Sequence, residues 1–256
     1  RFKKELTTFG LEMYQSATTP YEKASFSLIV PAHLMFAVKG YNGFTISNDS
    51  LINGKRIITA NEENIDAIQE EKYASAKPYY TNIQYKLSYN LDKDKNVRLY
   101  TWNELAKNVY NNYNSFTDSE VKVISNFFKQ VKLDEKASEE DKIIAIEDFI
   151  KTNINTDENA ISDDADKIEK IVKTKLAGNF GFTRLLIGLL QKAGINHQIV
   201  YPSKRNDLAI DEYFENYRLI EVPLLYFPGT GNFLDPLNAS FRYPYLDPHS
   251  AGTRGL

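Results

Sequence analysis

The most regular alternation of apolar and polar residues lies between Gly178 and Tyr201, in GNFGFTRLLIGLLQKAGINHQIVY. Apolar residues recur there at a spacing of three and four, which predicts a buried helix over residues 181–193. The residues on this face are Phe182, Leu185, Leu186, Leu189, Leu190 and Ala193. Gly194 follows as a helix stop, and the alternation from Ile195 to Tyr201 predicts a half-buried strand. This helix and strand are expected to form the centre of a core, with Leu186 and Leu190 nearly inaccessible.

The first 90 residues carry a pattern typical of strands. β-branched and aromatic residues alternate between Asn, Gly, Ser and Pro breaks, which predicts strands at 26–30, 33–44, 54–60 and 79–90. The tripeptide NGK at 53–55 predicts a hairpin turn. Strands at this spacing indicate an antiparallel sandwich or half-sandwich. Residues 1–16 enter this pattern partway, so part of its sheet is expected to lie outside the chain.

A charged stretch, LDKDKN at 91–96, is interpreted as a linker. After it, the spacing of apolar residues becomes typical of helices. Apolar stripes predict helices at 102–109 and 121–131, the second capped by Asp118. A third is predicted after Ser138, with a buried face formed by Ile143, Ile144, Ile146, Phe149 and Ile150. A fourth is predicted at 162–175. Beyond the central helix we expect a strand at 214–222, two strands around the turn PGTG, and an irregular tail. The predicted domains are 1–95 and 96–256.

Composition excludes several classes of function. The net charge is −3 and Lys and Arg are dispersed, so nucleic acid is not expected as a partner. No apolar run reaches the roughly eighteen residues that a membrane-spanning helix needs. The chain contains no cysteine, which excludes disulfides, cysteine-ligated zinc and thiol catalysis.

The polar residues give no reason to expect a metal or a cofactor. The histidines are His33, His197 and His249, and their spacing gives no metal site; His197 is interpreted as a packing residue. The acidic run SDDAD at 162–166 is interpreted as a solvated helix start. Asp92 and Asp94 lack the glycine and the distal Glu of a calcium-binding loop.

Three blocks in order resemble the transglutaminase-like core of the papain-type cysteine enzymes: FTRLLIGLLQKAGINHQIV at 182–200, NYRLIEV at 216–222 and NFLDPLN at 232–238. More loosely, residues 21–90 are similar to a β-domain of unknown function that precedes such cores in bacterial envelope proteins. The resemblance implies an α+β fold, with an antiparallel β-domain followed by helices and an antiparallel sheet around a central buried helix. It also implies an exported protein, periplasmic or at the cell surface.

The catalytic positions of that family are altered in this sequence. The resemblance places the cysteine at the amino end of the central helix, where Asn179 stands by helix register and Phe180 by matching the motif letters. It places the histidine at Tyr217 and the aspartate at Asp235. An amide is no nucleophile, and a tyrosine with an ordinary pKa near 10 is a poor base. Asp235 is expected to accept a hydrogen bond from Tyr217 or from turn amides. Asn179, Tyr217 and Asp235 are predicted to converge around one cleft.

Three functions follow from this altered site. The first is an inactive module that binds or scaffolds a peptide, a protein or another envelope polymer. The second is an active peptidase, amidase or transglutaminase-type enzyme with an unrecognised nucleophile. The third is an architectural domain. An open cleft lined by aromatic residues favours the first, and one plugged by Phe180 or Tyr217 favours the third.

Overall fold

The structure, a computed structural model, describes residues 3–72, 74–94, 97–134, 136–157 and 164–256. Its contacts group the chain into two compact units. The first comprises Arg1–Leu105, Ser203–Glu221 and Gly252–Gly255, and the second Ala106–Pro202, Val222–Ala251 and Leu256. The grouping by contacts does not test whether two domains fold independently, so the predicted domain boundary between residues 95 and 96 stays a prediction. Residues 95 and 96 of the predicted linker lie outside the described residues.

The first unit contains two antiparallel sheets of three strands, in the orders β1-β6-β3 and β2-β5-β4. The strands are β1 (Phe9–Met13), β2 (Tyr21–Pro31), β3 (Leu34–Tyr41), β4 (Thr45–Ile52), β5 (Lys55–Ile65) and β6 (Asn82–Asn90). The four predicted strands correspond to β2, β3, β5 and β6. The predicted hairpin turn is confirmed: Asn53 and Gly54 both have positive φ, as a tight turn between β4 and β5 requires.

Strands β1 and β4 were not predicted. β4 has the sequence TISNDSLI and is exposed along almost its whole length, so it lacks the apolar alternation that marks a half-buried strand. β1 is only five residues long. Both are held by pairing with a neighbour, β4 with β5 and β1 with β6, rather than by their own composition.

Strand β6 buries polar side chains on one face. Ile83 and Tyr85 pack into the apolar cores of the first unit, whereas the alternate residues Asn82, Gln84, Lys86 and Ser88 are buried and polar. The segment 203–221 supplies partners for two of them: Lys86 Nζ lies 2.5 Å from Glu215 Oε2, and Asn216 Nδ2 donates to Gln84 Oε1 at 3.0 Å. These contacts explain why 203–221 belongs to the first unit, which the sequence did not predict.

The second unit is built on helices. The α-helices in the described part of the chain are α1 (Trp102–Asn114), which starts in the first unit, α2 (Asp118–Phe128), α3 (Glu139–Asn153), α4 (Ile168–Thr174) and α5 (Asn179–Lys192). β7 (Asn155–Thr156) and β8 (Leu176–Ala177) form a short parallel pair. β9 (Gln198–Val200), β10 (Leu224–Phe227) and β11 (Asn232–Leu234) form an antiparallel sheet in the order β11-β10-β9.

Helix α5 is the centre of this unit, as predicted. Leu186 and Leu190 are fully inaccessible, and α5 packs against α2, α3 and α4. Gly188 permits a close approach to α2, because a Cβ there would lie 2.6 Å from Ile124 Cδ1. The helix begins at Asn179, two residues earlier than predicted. The predicted α+β class is confirmed: antiparallel strands come first, followed by helices and a small antiparallel sheet around a buried helix.

Several local predictions are wrong. The cap of α2 is Thr117 rather than Asp118, because Thr117 and Glu120 exchange the two hydrogen bonds of a capping box. The strand predicted at 214–222 is instead a short 3₁₀ turn at Tyr217–Leu219. There the Asn216 side chain accepts from the backbone N–H of Arg218 and so stabilises a turn rather than a strand.

The third and fourth helices also differ in part from prediction. The Ser138 cap of α3 is confirmed by its bond from the Asp141 N–H, but Ile144, predicted to be buried, is 42% exposed. The fourth helix starts at Ile168 rather than at 162. Residues 162 and 163 of that prediction lie outside the described part of the chain. Within the described residues, no helix combines the length and the apolar character needed to cross a bilayer.

Candidate functional site

The four predicted site residues are divided between the two units. Asn179 and Phe180 open α5 in the second unit, Asp235 follows β11 in the same unit, and Tyr217 belongs to the first unit. The predicted convergence of Asn179, Tyr217 and Asp235 around one cleft stays a prediction. The surroundings of each residue within its own unit are described below.

The amino end of α5 is covered by a loop that carries a carboxylate. Gly178, the residue that caps the helix, has no side chain with which to do so, and Asp166 Oδ1 accepts from the backbone N–H of Gly181 at 2.7 Å. Both glycines are required for this packing. A Cβ at Gly178 would lie 2.7 Å from Asp166 Oδ1, and one at Gly181 would lie 2.6 Å from Asp166 Cα. Gly178 N also donates to the carbonyl of Ala165 at 2.9 Å.

This carboxylate changes the electrostatics of the helix start. A helix amino end carries roughly half a positive charge and stabilises an anion placed there. In this chain that anion is a side chain of the protein itself, so the helix offers less stabilisation to another one. The interpretation of 162–166 as a solvated helix start is wrong for Asp166. Its carboxylate accepts from the first turn of α5, and α4 begins only at Ile168.

Neither Phe180 nor Thr183 presents a reactive group. The Phe180 ring packs edge-on against Tyr113 with ring centroids 4.8 Å apart, and the side chain is half-buried. Thr183 is fully buried, and its hydroxyl donates to the carbonyl of Asn179 at 3.0 Å. The first turn of α5 therefore carries the half-buried amide of Asn179, and the nearby hydroxyl of Thr183 is engaged in the helix.

Tyr217 is packed among aromatic rings of the first unit. Its ring stacks on Phe9 and on Trp102, with centroids 4.8 and 5.6 Å away, and its hydroxyl donates to the carbonyl of Thr101 at 2.7 Å. Burial raises the pKa of Tyr217 to about 12, because the phenolate would lose its hydration. At neutral pH the phenolate of Tyr217 is therefore even scarcer than that of an exposed tyrosine, so Tyr217 is less available to accept a proton.

Asp235 stabilises a turn. Its Oδ1 accepts from the backbone N–H groups of Leu237 and Asn238 at 3.0 and 3.1 Å, the second of the two arrangements that the sequence left open. Carbonyl groups in and after this turn bind Lys151. Its ammonium donates to the carbonyls of Asp235, Asn238 and Phe241 at 2.8, 2.7 and 3.3 Å.

Lys151 and Glu147 form a buried ion pair in α3. Their charged atoms lie 2.8 Å apart, and their side chains are 4% and 2% exposed. Glu147 Oε2 also accepts from the backbone N–H of Tyr243 at 2.9 Å. Burial lowers the pKa of Lys151, while the carboxylate of Glu147 acts in the opposite direction. The sequence signal, a Glu and a Lys four residues apart, is typical of exposed helix faces, so this pair was missed.

A cleft of about 480 Å³ lies beside β9 in the second unit. Its walls include Lys107 and Tyr110 from α1, together with His197, Ile199 and Tyr201 around β9. The cleft was not predicted, because its walls come from segments about ninety residues apart in sequence.

His197 lies in the wall of this cleft, and both of its ring nitrogens make polar contacts there. Its Nε2 lies 3.2 Å from Asn114 Oδ1, and its Nδ1 lies 3.4 Å from the carbonyl of Ile195. Burial lowers the pKa of His197, so the imidazole is neutral at neutral pH. Among the described residues there is no cluster of three or more His, Cys, Asp or Glu side chains that could hold a metal ion.

Comparisons with known proteins reveal a likeness in fold. No protein-family model matches the sequence, and no curated protein matches it. The structure resembles the crystal structure of a putative protease from Parabacteroides distasonis ATCC 8503, with a TM-score of 0.61 and 14% identity. The match covers 88% of this chain and 42% of that protein, so the chain spans less than half of its length. At this identity the likeness shows a shared fold alone.

Two further solved structures are more distant. A TGase matches over 80% of this chain and 47% of its own, with a TM-score of 0.36 and 12% identity. A putative cysteine protease from Cytophaga hutchinsonii matches over 88% of this chain and 72% of its own, with a TM-score of 0.32 and 12% identity. Likenesses this weak do not bear on the fold or on the site.

Proposed function

We propose that the chain is a catalytically inactive transglutaminase-like module of the bacterial cell envelope that binds or scaffolds a peptide or another envelope polymer. The three ordered sequence blocks and the fold shared with the putative protease from Parabacteroides distasonis support the assignment to this superfamily. The observation that carries the proposal is the start of α5, where Asn179 stands at the nucleophile position and Asp166 occupies the helix end.

The loss of activity is supported by the chemistry of all three positions. A papain-type site needs a thiolate at the helix start and an imidazole to generate it. The chain has no cysteine, and the histidine position holds Tyr217 with its raised pKa and its bond to a carbonyl. Asp235 is engaged by turn amides. Removing nucleophile and base together raises the barrier by several kcal/mol, because each tenfold loss in rate is about 1.4 kcal/mol.

A binding role is supported by the cleft beside β9. Its walls are largely apolar and carry a small number of polar groups, the usual composition of a ligand site. Its volume of about 480 Å³ suits a short segment of a polymer. The location in the envelope rests on the family resemblance, and so it belongs to the proposal.

The proposal predicts no turnover by the purified chain. A glutamine-containing peptide with a primary amine tests transamidation, and fluorogenic peptides and cell-wall peptides test peptidase and amidase activity. We expect rates equal to those of buffer, and the same rates for the Asp235→Ala variant. Turnover by the unmodified chain that disappears in Asp235→Ala would contradict the proposal and favour an enzyme with an unrecognised nucleophile.

A further inference from the structure

We propose that Asn53, in the turn between β4 and β5, is a site of spontaneous deamidation and isomerisation, whereas Asn42, which also precedes a glycine, is protected by the fold. The reaction consumes only water, and it leaves an aspartate or an isoaspartate in the turn. The inference concerns the first unit and does not depend on the binding function proposed above. Its basis is a comparison of two turns that share a dipeptide and a backbone conformation.

Two Asn-Gly dipeptides occur in the chain, at 42–43 and 53–54. The first lies in the turn between β3 and β4, and the second in the turn between β4 and β5. Both residues of each dipeptide have positive φ, with values of 53° and 103° in the first turn and 49° and 71° in the second. The reactive dipeptide and the sign of φ at both positions are therefore matched, so a difference in reactivity has to come from the surroundings of the two turns.

Deamidation begins at the backbone nitrogen of the glycine. A base removes the proton of the glycine N–H, the nitrogen bonds to the side-chain carbon Cγ of the preceding asparagine, and the amide group of that side chain leaves as ammonia. The product is a five-membered succinimide ring. Water then adds to one of the two ring carbonyls and breaks its bond to the ring nitrogen, which recovers a proton. Opening at one carbonyl gives aspartate, and opening at the other gives isoaspartate, whose main chain runs through the side-chain carbons. Glycine favours the attack because it has no Cβ to obstruct the approach.

The side chain of Asn42 is held by hydrogen bonds that oppose this reaction. Its Nδ2 donates to the carbonyls of Pro78 and Tyr80 at 3.2 and 2.9 Å. The main-chain carbonyl of Asn42 also accepts from the Thr81 hydroxyl at 2.9 Å. The attack requires the side chain and the adjoining peptide group to rotate toward each other. It therefore has to disrupt these bonds before the reacting atoms can meet.

Asn53 lacks these restraints. The residue is exposed, and its side chain has no hydrogen-bond partner among the described residues. Gly54 faces open space: apart from its chain neighbours, no heavy atom of the described chain lies within 4 Å of a Cβ built on it. The carbonyl of Gly54 accepts from the Ala32 N–H at 3.0 Å, a bond that involves neither the attacking nitrogen nor Cγ of Asn53. The Asn53 side chain is therefore free to rotate toward the glycine nitrogen.

Neighbouring charges act in the same direction. A Cβ on Gly43 would lie 3.3 Å from Glu62 Oε1, so a carboxylate lies close to the first dipeptide. The second dipeptide is followed by Lys55, an exposed cation. A negative charge disfavours the amide anion that forms when the glycine N–H loses its proton, and a positive charge favours it. Salt and water screen charges at the surface, so this contribution is smaller than that of the hydrogen bonds at Asn42.

Isoaspartate changes the hairpin that carries it. A two-residue loop with positive φ at both positions matches the twist of the two strands that it joins. Isoaspartate adds a main-chain carbon to this loop and so disturbs the alignment of β4 with β5. Because β4 is exposed along almost its whole length and is held by this pairing, we expect it to open more often after Asn53 has isomerised.

The test follows both dipeptides in the same molecule. The folded chain is incubated at mildly alkaline pH in water enriched in heavy oxygen, which marks every carboxylate that forms during the incubation. It is then digested with trypsin in ordinary water at mildly acidic pH. Cleavage after Lys39 and Lys55 releases residues 40–55 as one peptide that contains both dipeptides, so fragmentation in a mass spectrometer compares the two sites directly. A parallel incubation in urea is the matched control, because unfolding removes the hydrogen bonds at Asn42.

In the folded chain we expect Asn53 to deamidate at least about tenfold faster than Asn42, which is a difference of about 1.4 kcal/mol in the barrier. In urea the two rates should be nearly equal, because both asparagines precede glycine. Electron-transfer fragmentation, which distinguishes isoaspartate from aspartate, should find both products at position 53. The backbone amides of β4 should exchange with solvent at least about tenfold faster in the isoaspartate form than in the fresh chain.

Three results would overturn the inference. The first is an equal or faster reaction at Asn42 in the folded chain, and the second is a folded chain in which neither asparagine reacts although both do so in urea. The third is a difference between the two rates that persists unchanged in urea, because it would then come from the flanking residues and not from the fold. Unchanged exchange of the β4 amides in the isoaspartate form would overturn the expected loosening of the hairpin.

Discussion

Lys151→Met is expected to lower the free energy of unfolding by about 3–5 kcal/mol, the range for breaking a buried ion pair by removing one partner. The substitution keeps an unbranched side chain that is one atom shorter, and it removes the charge. It leaves the Glu147 carboxylate, 2% exposed, without its cation at 2.8 Å. It also leaves the carbonyls of Asp235, Asn238 and Phe241 without the ammonium that binds them. Urea unfolding followed by circular dichroism measures the change.

Two controls distinguish the effect of breaking the ion pair from the general effect of replacing a lysine by methionine. Lys122→Met removes an exposed lysine from α2 and should change stability by less than about 0.5 kcal/mol. The double variant Lys151→Met with Glu147→Leu removes both charges, and it should be more stable than Lys151→Met alone because no unpaired buried charge remains. A cost below about 1 kcal/mol for Lys151→Met would contradict the account of this pair, because a buried charge left alone is expensive.

Leu190→Ala is expected to cost about 2–5 kcal/mol of stability, the range for a large-to-small change in a closed core. Leu190 is fully inaccessible on α5, the helix that packs against α2, α3 and α4. Truncation removes apolar contacts and leaves a cavity that a packed interior fills only in part. The unfolding free energies of the variant and the wild type, measured in urea, give the cost.

Leu176→Ala is the matched control, because Leu176 lies in the same unit and is 42% exposed. It should cost less than about 1 kcal/mol. Equal costs for the two variants would show that α5 does not occupy the centre of a packed core.

The sequence predicts the α5 core well because the physical signal is local. Apolar residues at helical spacing, followed by Gly194, identify a buried helix within one window of sequence. The same holds for the hairpin at Asn53 and Gly54, where two residues that tolerate positive φ stand together. The strand β4 could not be predicted in this way, because pairing with β5 rather than its own pattern holds it.

The candidate site is less predictable because its determinants are distant in sequence. The family resemblance predicts which residues stand at the catalytic positions, but it gives no sign that Asp166, in the loop before α4, covers the start of α5. Nor does it show that Asn216 turns the segment after it into a 3₁₀ turn. The cleft beside β9 depends on α1 and β9 lying together, and no local pattern records that proximity.

The central claim is that the amino end of α5 no longer activates a nucleophile, because a carboxylate of the protein occupies it. The pKa of a thiol at this position reports that environment directly. In papain-type enzymes the helix and a histidine hold the thiol pKa far below its ordinary value of about 8.5. In this chain Asp166, in the loop before α4, accepts from the Gly181 N–H in the first turn of α5. A nearby carboxylate acts in the opposite direction on a thiolate.

The decisive measurement is the rate of alkylation by iodoacetamide against pH for the Asn179→Cys variant, which contains a single cysteine. The same variant unfolded in urea gives the reference pKa. The account predicts a folded-state pKa at or above about 8.5, and a lower one when Asp166→Asn is added, because the like charge is then removed. A folded-state pKa at or below about 7 in Asn179→Cys alone would show that the helix start still activates a nucleophile, and it would contradict the account.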